Sequence, residues 1–155
     1  MKIKMLIMDV DGTMTDGKIY MGPQGEVMKA FHCQDGLGIA QLLPEMGIVP
    51  VIITGRSSAI VENRARELRI HHVYQGVSDK LAVADRLAEE MGISRPEIAY
   101  IGDDLNDLVC MQACGLRACP ANAAQQVVEL ADYVCRRNGG DGAVREFIDY
   151  LRQFA

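Results

Sequence analysis

Residues 48–54, IVPVIIT, are apolar almost throughout. A strand with one wet face alternates apolar and polar side chains. An unbroken run instead fits a strand covered on both faces, as in a parallel sheet with helices above and below. A shorter run at 3–8 leads into Asp9, and further β-rich runs follow at 72–75, 98–101, 116–118 and 133–135. Between them lie helical patterns at 36–46, 57–68, 78–91, 107–114, 123–130 and 143–154. Alternation of this kind means right-handed βαβ crossovers. The expected fold class is therefore α/β: a doubly wound, Rossmann-like parallel sheet with helices on both faces. Only one segment stands outside the alternation. Residues 18–20 and 27–31 flank Gly22-Pro23-Gln24-Gly25, a turn with proline in a favoured position. A small β-hairpin flap is thus expected at about 18–31. With neither linker nor internal repeat, residues 1–155 read as one domain that closes with a loop and helix at about 136–155. Ser57, Ser78 and Asp141 are the expected N-caps of their helices.

Composition narrows the function. The formal net charge is −5 and the pI about 5.2, which argues against a nucleic-acid binder and its basic patch. The mixed-sign run at 62–67 reads as a solvated helix face. No stretch reaches the roughly 20 apolar residues of a membrane span. The start, MKIKMLIMD, has too short an apolar core for a signal peptide. Five cysteines, an odd number without a CxxC pair, fit a reducing compartment, so the expected location is the cytoplasm. Cys33, Cys110, Cys114, Cys119 and Cys135 read as small buried thiols, and His71 and His72 as a structural pair opening a strand.

In a doubly wound sheet the ligand site lies at the carboxyl ends of the strands. The residues following successive strands are Asp9, Asp11 and Thr13, then Thr54-Gly55-Arg56, then Gly76-Val77-Ser78-Asp79-Lys80, then Gly102-Asp103-Asp104-Leu105-Asn106-Asp107. Five of these aspartates (Asp9, Asp11, Asp103, Asp104 and Asp107), Thr54 and Lys80 thus converge on one rim. Asp9 and Asp11 share a strand face, and two carboxylates that close repel unless a cation joins them. A hard divalent cation such as Mg²⁺ is held by one or two carboxylates and substrate phosphate, with Asp9 and Asp103 as the candidates here. Lys80 falls in a helix's first turn, where its charge opposes the helix dipole unless an anion lies in front of it. Thr54 and the Gly55 turn offer the neutral half of a phosphate cradle. One carboxylate then remains to attack the phosphate and another to handle protons. Read singly, Lys80 is a solvated helix lysine, Thr54 a strand-end threonine, and one of Asp104 and Asp107 an N-cap.

These residues, in this order, resemble the four motifs of the haloacid dehalogenase superfamily. The resemblance implies that Asp9 is the nucleophile forming an aspartyl phosphate. Asp11 would protonate the leaving alcohol and then activate water. Mg²⁺ would be bound by Asp9, the Asp11 backbone carbonyl and Asp103. Asp104 and Asp107 would orient the metal's waters and Lys80, while Thr54 and Lys80 bind the phosphoryl group. There is no room for the usual cap domain; only the hairpin stands in its place. Capless members of this size resemble the 3-deoxy-D-manno-octulosonate 8-phosphate phosphatases and relatives acting on nine-carbon keto-sugar acid phosphates. Phe31-His32-Cys33-Gln34-Asp35-Gly36, Tyr74-Gln75-Gly76 and Gly139-Gly140-Asp141-Gly142-Ala143-Val144-Arg145-Glu146 extend the likeness to almost the whole chain.

The implied substrate is a phosphorylated sugar acid, the eight-carbon octulosonate favoured by Arg56, which can grip a 2-keto acid's carboxylate bidentately. Thr13, Asp35, Gly55, Arg56, Gly76, Ser78 and Arg145 are the implied substrate contacts. The implied assembly is a homotetramer whose neighbouring subunits close the site. Three rivals remain: a nine-carbon phosphatase, a phosphoryl-accepting receiver domain and an inactive regulatory relative. A receiver is disfavoured because its adjacent acids follow the first strand, whereas here Asp103-Asp104 come late.

Overall fold

A computed structural model describes residues 1–155. Six parallel strands form the sheet: β1 (Met5–Met8), β4 (Val49–Ile53), β5 (His72–Tyr74), β6 (Ile98–Ile101), β7 (Leu116–Cys119) and β8 (Tyr133–Val134). They run in the order β5-β4-β1-β6-β7-β8. The remaining strands, β2 (Tyr20–Gly22) and β3 (Gly25–Met28), make an antiparallel hairpin of their own. From β1 the chain winds outward through β4 to β5, then returns to place β6 on β1's other side. The direction of winding therefore reverses beside β1, and a crevice opens between the loops after β1 and β6.

Each central strand splits its side chains between two apolar layers. Leu6 and Met8 of β1, Ile52 of β4 and Ala99 and Ile101 of β6 join one cluster. That cluster is covered by the helical stretch 33–45, by α3 (Ala59–Glu67) and by α7 (Ala143–Leu151). Met5, Ile7, Val51, Ile53, Ile98 and Tyr100 face α4 (Lys80–Met91), α5 (Leu108–Ala113) and α6 (Gln125–Leu130). Period-2 alternation with both halves apolar is why the strand runs read as continuous. The expected α/β, doubly wound fold is the one observed.

Local boundaries shift where several good signals compete. The hairpin strands lie nearer the turn than expected, with only Pro23 and Gln24 between them. The first helix begins at Cys33, because the His32 ring accepts a hydrogen bond from the Gln34 N–H (3.1 Å). It continues as α1 (Cys33–Leu37), a π-helical stretch (Gly38–Leu42) and α2 (Leu43–Glu45). Ser58 and not Ser57 caps α3, and Asp79 and not Ser78 caps α4. Both neighbours are capping types, so sequence alone cannot choose between them. Asp141 does not cap α7; the N-cap position is Gly142, which has no side chain to offer. Four cysteines are buried as expected, but Cys33 is exposed. His71 and His72 line an apolar groove of about 610 Å³ at the amino ends of β4 and β5, opposite the rim where the acidic residues gather.

Candidate active site

The acids after β1 and β6 meet across the crevice. Asp9 continues β1, and its N–H donates to the Ile101 carbonyl (3.1 Å). One carboxylate oxygen each from Asp9, Asp103 and Asp107 lie within 4.8 Å of one another. Lys80, only 3% exposed, enters from the first turn of α4. Its Nζ donates to Asp9 Oδ1 (3.0 Å) and to Asp107 Oδ1 (2.8 Å). A cation that opposes its own helix dipole is thus neutralised by two buried carboxylates. Burial works to lower the Lys80 pKa, but the charges of Asp9 and Asp107 outweigh it and leave the pKa raised.

Asp107 has no exposure and no spare acceptor. Its Oδ1 takes Lys80 and the Tyr100 hydroxyl (2.5 Å), and its Oδ2 takes the N–H groups of Asp103 (3.0 Å) and Asp104 (3.2 Å). A carboxylate engaged on every side positions its neighbours and has little left for a metal. Asp103 is different, because Thr13's hydroxyl occupies only Oδ1 (2.9 Å). Burial, then the hydrogen bond with Asp9, push the Asp103 pKa up to about 8. Burial and Asp107 also raise that of Asp9. Such a set is costly alone and is relieved by a divalent cation among the oxygens. The residues present fit Mg²⁺, which takes hard oxygen ligands. Gly12 allows the close approach: its φ is +91°, and a Cβ there would collide with the Asp103 carboxylate.

Asp9, Asp11, Thr54, Gly55, Arg56, Asp104 and Asn106 line a cleft of about 160 Å³. Asp11 turns away from the Lys80 cluster. Its Oδ1 accepts from Lys29 Nζ at 2.6 Å, and Arg56 Nε stands 3.8 Å from its Oδ2. The same lysine donates to Glu26 Oε2 (2.8 Å), which Arg56 also approaches at 3.6 Å. The hairpin therefore contributes two charges to the site.

Comparison with known proteins bears on this arrangement. Residues 69–148 match the haloacid dehalogenase-like hydrolases. A 3-deoxy-D-manno-octulosonate 8-phosphate phosphatase of Escherichia coli (strain K12) is 47% identical over 149 residues, covering 96% of this chain and 79% of that one. The chain belongs to the haloacid dehalogenase-like hydrolase family. Solved structures agree with the fold of this hydrolase. The octulosonate 8-phosphate phosphatase of Yersinia pestis superposes with a TM-score of 0.94 at 46% identity, over 98% of this chain and 82% of that one. That of Moraxella catarrhalis, solved with magnesium, phosphate and 3-deoxy-D-manno-octulosonate, gives 0.93 at 44%, over 98% and 87%.

Of the residues singled out in the hydrolase's sequence, Asp9, Asp11, Thr54, Gly55, Arg56, Lys80, Asp103, Asp104 and Asp107 gather at this end of the sheet. Asp104 also caps the turn that follows it (2.8 Å to the Leu105 N–H). Thr13 is fully buried and its hydroxyl is taken by Asp103, so it supports an acid and does not face a ligand. The Gly76 N–H donates to the Arg56 carbonyl (3.2 Å), tying two strand-end turns together, while Ser78 is exposed in the loop before α4. Asp35 and Arg145 lie together but apart from the cleft. Asp35 Oδ1 accepts from the Arg145 backbone N–H (2.9 Å), supplying the α7 cap that Gly142 lacks, and Arg145's guanidinium turns to Asp149 and the Gln34 carbonyl. Lys29, Glu26 and Tyr100 had no signal in the sequence. Two belong to the short hairpin outside the strand–helix alternation, and the third is one residue of a buried strand.

Proposed function

We propose that this hydrolase is a Mg²⁺-dependent phosphatase of a sugar-acid phosphate, with 3-deoxy-D-manno-octulosonate 8-phosphate the preferred substrate. The observation carrying the reading is the buried Lys80, held between Asp9 and Asp107 where phosphoryl charge would otherwise go unbalanced. Asp9 attacks phosphorus; its oxygen–phosphorus bond forms as the bond to the sugar oxygen breaks. Asp11 gives a proton to that oxygen, then takes one from the water that attacks the aspartyl phosphate, releasing phosphate and restoring Asp9. Lys80 and Thr54 bind the phosphoryl oxygens, and Asp107 keeps Lys80 aimed. Asp9, Asp103 and the Asp11 backbone carbonyl would hold Mg²⁺, which supplies charge neutralisation for nucleophile and phosphate together.

Support for the sugar acid comes from Arg56, whose side chain is 51% exposed at the cleft and stands off from Asp11 and Glu26 at 3.8 and 3.6 Å, so that a substrate carboxylate can compete for it. The relatives named above act on the eight-carbon acid phosphate or were solved with its product acid. A homotetramer belongs to the same proposal: the hairpin exposes Ile19, Met21, Val27 and Met28, and a neighbouring subunit there would also close an open cleft. No helix is long and apolar enough to cross a membrane. A cytoplasmic location is also part of the proposal, supported by four buried free thiols.

The test is steady-state hydrolysis with Mg²⁺, comparing kcat/KM for the eight-carbon and nine-carbon keto-acid phosphates. A preference for the eight-carbon acid is expected, and excess chelator should stop turnover. Preference for the nine-carbon acid would move the substrate assignment. Single-turnover phosphorylation without release would point to a receiver.

A further inference from the structure

Asp9 and Asp11 each have their own lysine, but the two lysines come from different parts of the molecule. Lys80 belongs to the body, whereas Lys29 follows β3 at the base of the hairpin. Lys29's side chain is 1% exposed, so its ammonium has left bulk water for Asp11 and Glu26. The hairpin ladder is irregular at Tyr20/Met21, opposite the end of β3, and irregularities of this kind re-aim the side chains beside them. Glu26 Oε2 anchors the ammonium from three residues away, leaving Asp11 Oδ1 as its second partner at 2.6 Å.

A carboxyl that must protonate a leaving oxygen works only when held within hydrogen-bond reach of it. The Asp11 carboxylate accepts no hydrogen bond from the strand-end loops; Lys29 is its donor, with Arg56 Nε standing off at 3.8 Å. We propose that Lys29 is the positioning residue of the acid–base carboxylate: anchored on Glu26, it fixes the Asp11 rotamer that meets the leaving oxygen, so the hairpin governs the proton-transfer step. This rests on the phosphatase reading, in which the Asp11 proton passes to the alcohol oxygen as the Asp9–phosphorus bond forms.

Leaving groups separate this role from others. A p-nitrophenolate departs without a proton, whereas phenolate gains much from one, and the two esters have similar shape and lack a carboxylate. The experiment measures kcat/KM for p-nitrophenyl phosphate and phenyl phosphate with Mg²⁺ for the wild type, Lys29→Met and Lys29→Arg. Because kcat/KM covers steps only through phosphoryl transfer to Asp9, it isolates the donation by Asp11. Lys29→Met is expected to lose at least about tenfold more with phenyl than with p-nitrophenyl phosphate, within the usual range for general-acid contributions. Lys29→Arg should keep the ratio of the two within about threefold of wild type, since the charge that holds Asp11 persists. Equal losses on both esters, the signature of a loosened fold or of plain substrate binding, would overturn the proposal and leave the phosphatase reading intact. So would a ratio in Lys29→Arg as distorted as in Lys29→Met. A wild type that hydrolyses neither these esters nor the sugar-acid phosphates overturns both.

Discussion

One residue separates Asp9 from Asp11, yet the two carboxylates inhabit different kinds of structure. Asp9 is 5% exposed and sits where a sheet, a helix N-terminus and a tight turn converge, with Lys80, Asp107 and Tyr100 locked behind it. Asp11 faces a cleft, and its contacts come from a two-stranded hairpin and from the half-exposed Arg56. The first environment is part of the hydrophobic core and shares its rigidity. The second hangs on a hairpin whose own apolar faces are open to solvent. A nucleophile needs a fixed position, whereas an acid–base group beside a substrate entrance has to be reachable, and the two constructions suit those demands.

The widest gap should appear in turnover. Asp9→Asn is expected to lower kcat by at least about a thousandfold, because no other group can form the covalent bond. Its melting temperature should stay near that of the wild type, because Lys80 keeps Asp107 and a neutral amide relieves the crowding of buried carboxylates, checked by calorimetry beside the assay. An asparagine variant retaining most activity would break the assignment of the nucleophile.

Stability should show the next largest contrast. Lys80→Met strands the Asp9 and Asp107 carboxylates in the core, and removing one member of a buried ion cluster costs about 3–5 kcal/mol. Lys29→Met leaves Asp11 and Glu26 near a cleft where water can reach them, and its cost should be about 1–2 kcal/mol. Urea unfolding of both variants makes the comparison; similar losses would mean that the hairpin is as much part of the core as α4.

The smallest effect belongs to an ion pair outside both regions and calibrates them. Asp132 accepts two hydrogen bonds from the Arg117 guanidinium (2.8 and 2.9 Å), which hold its carboxyl below the ordinary 3.8. A depressed folded pKa adds stability above the unfolded value and loses it as pH falls through the folded one. Asp132→Asn should therefore melt slightly lower than wild type at pH 7, by the equivalent of about 0.2–1 kcal/mol, and the gap should close in strongly acidic buffer.

The same contrast explains what sequence could reveal. Asp9, Thr54 and Asp103 were legible because each stands at the end of an apolar run, and Lys80 because it opens the helix after the next strand, so strand order alone brought them together. Lys29 was not, because it lies just past a short hairpin strand and its contact with Asp11 depends on how the hairpin folds back. Asp35 is a sharper case. A likeness to other proteins implied a substrate contact, yet within this chain it caps a helix whose first residue lies more than a hundred positions later. The nearest capping type, Asp141, drew the expectation because sequence patterns register only neighbours. Ser57 against Ser58 and Ser78 against Asp79 are milder versions, in which two adjacent residues are chemically fit for the task and packing chooses one.

Gly139 and Gly140 press against the loop that follows β1. A side chain on Gly139 would run into the Gly12 carbonyl, and the Gly140 N–H donates to the Thr13 carbonyl (3.2 Å). Beyond the other end of β1, the Phe154 carbonyl accepts from the Ile3 N–H (2.8 Å). During synthesis Asp9 thus leaves the ribosome early, and the last contacts on its loop wait for the glycine pair, which emerges more than a hundred residues later. A ribosome stalled before that point carries all four motifs but not the glycines that pack against the first.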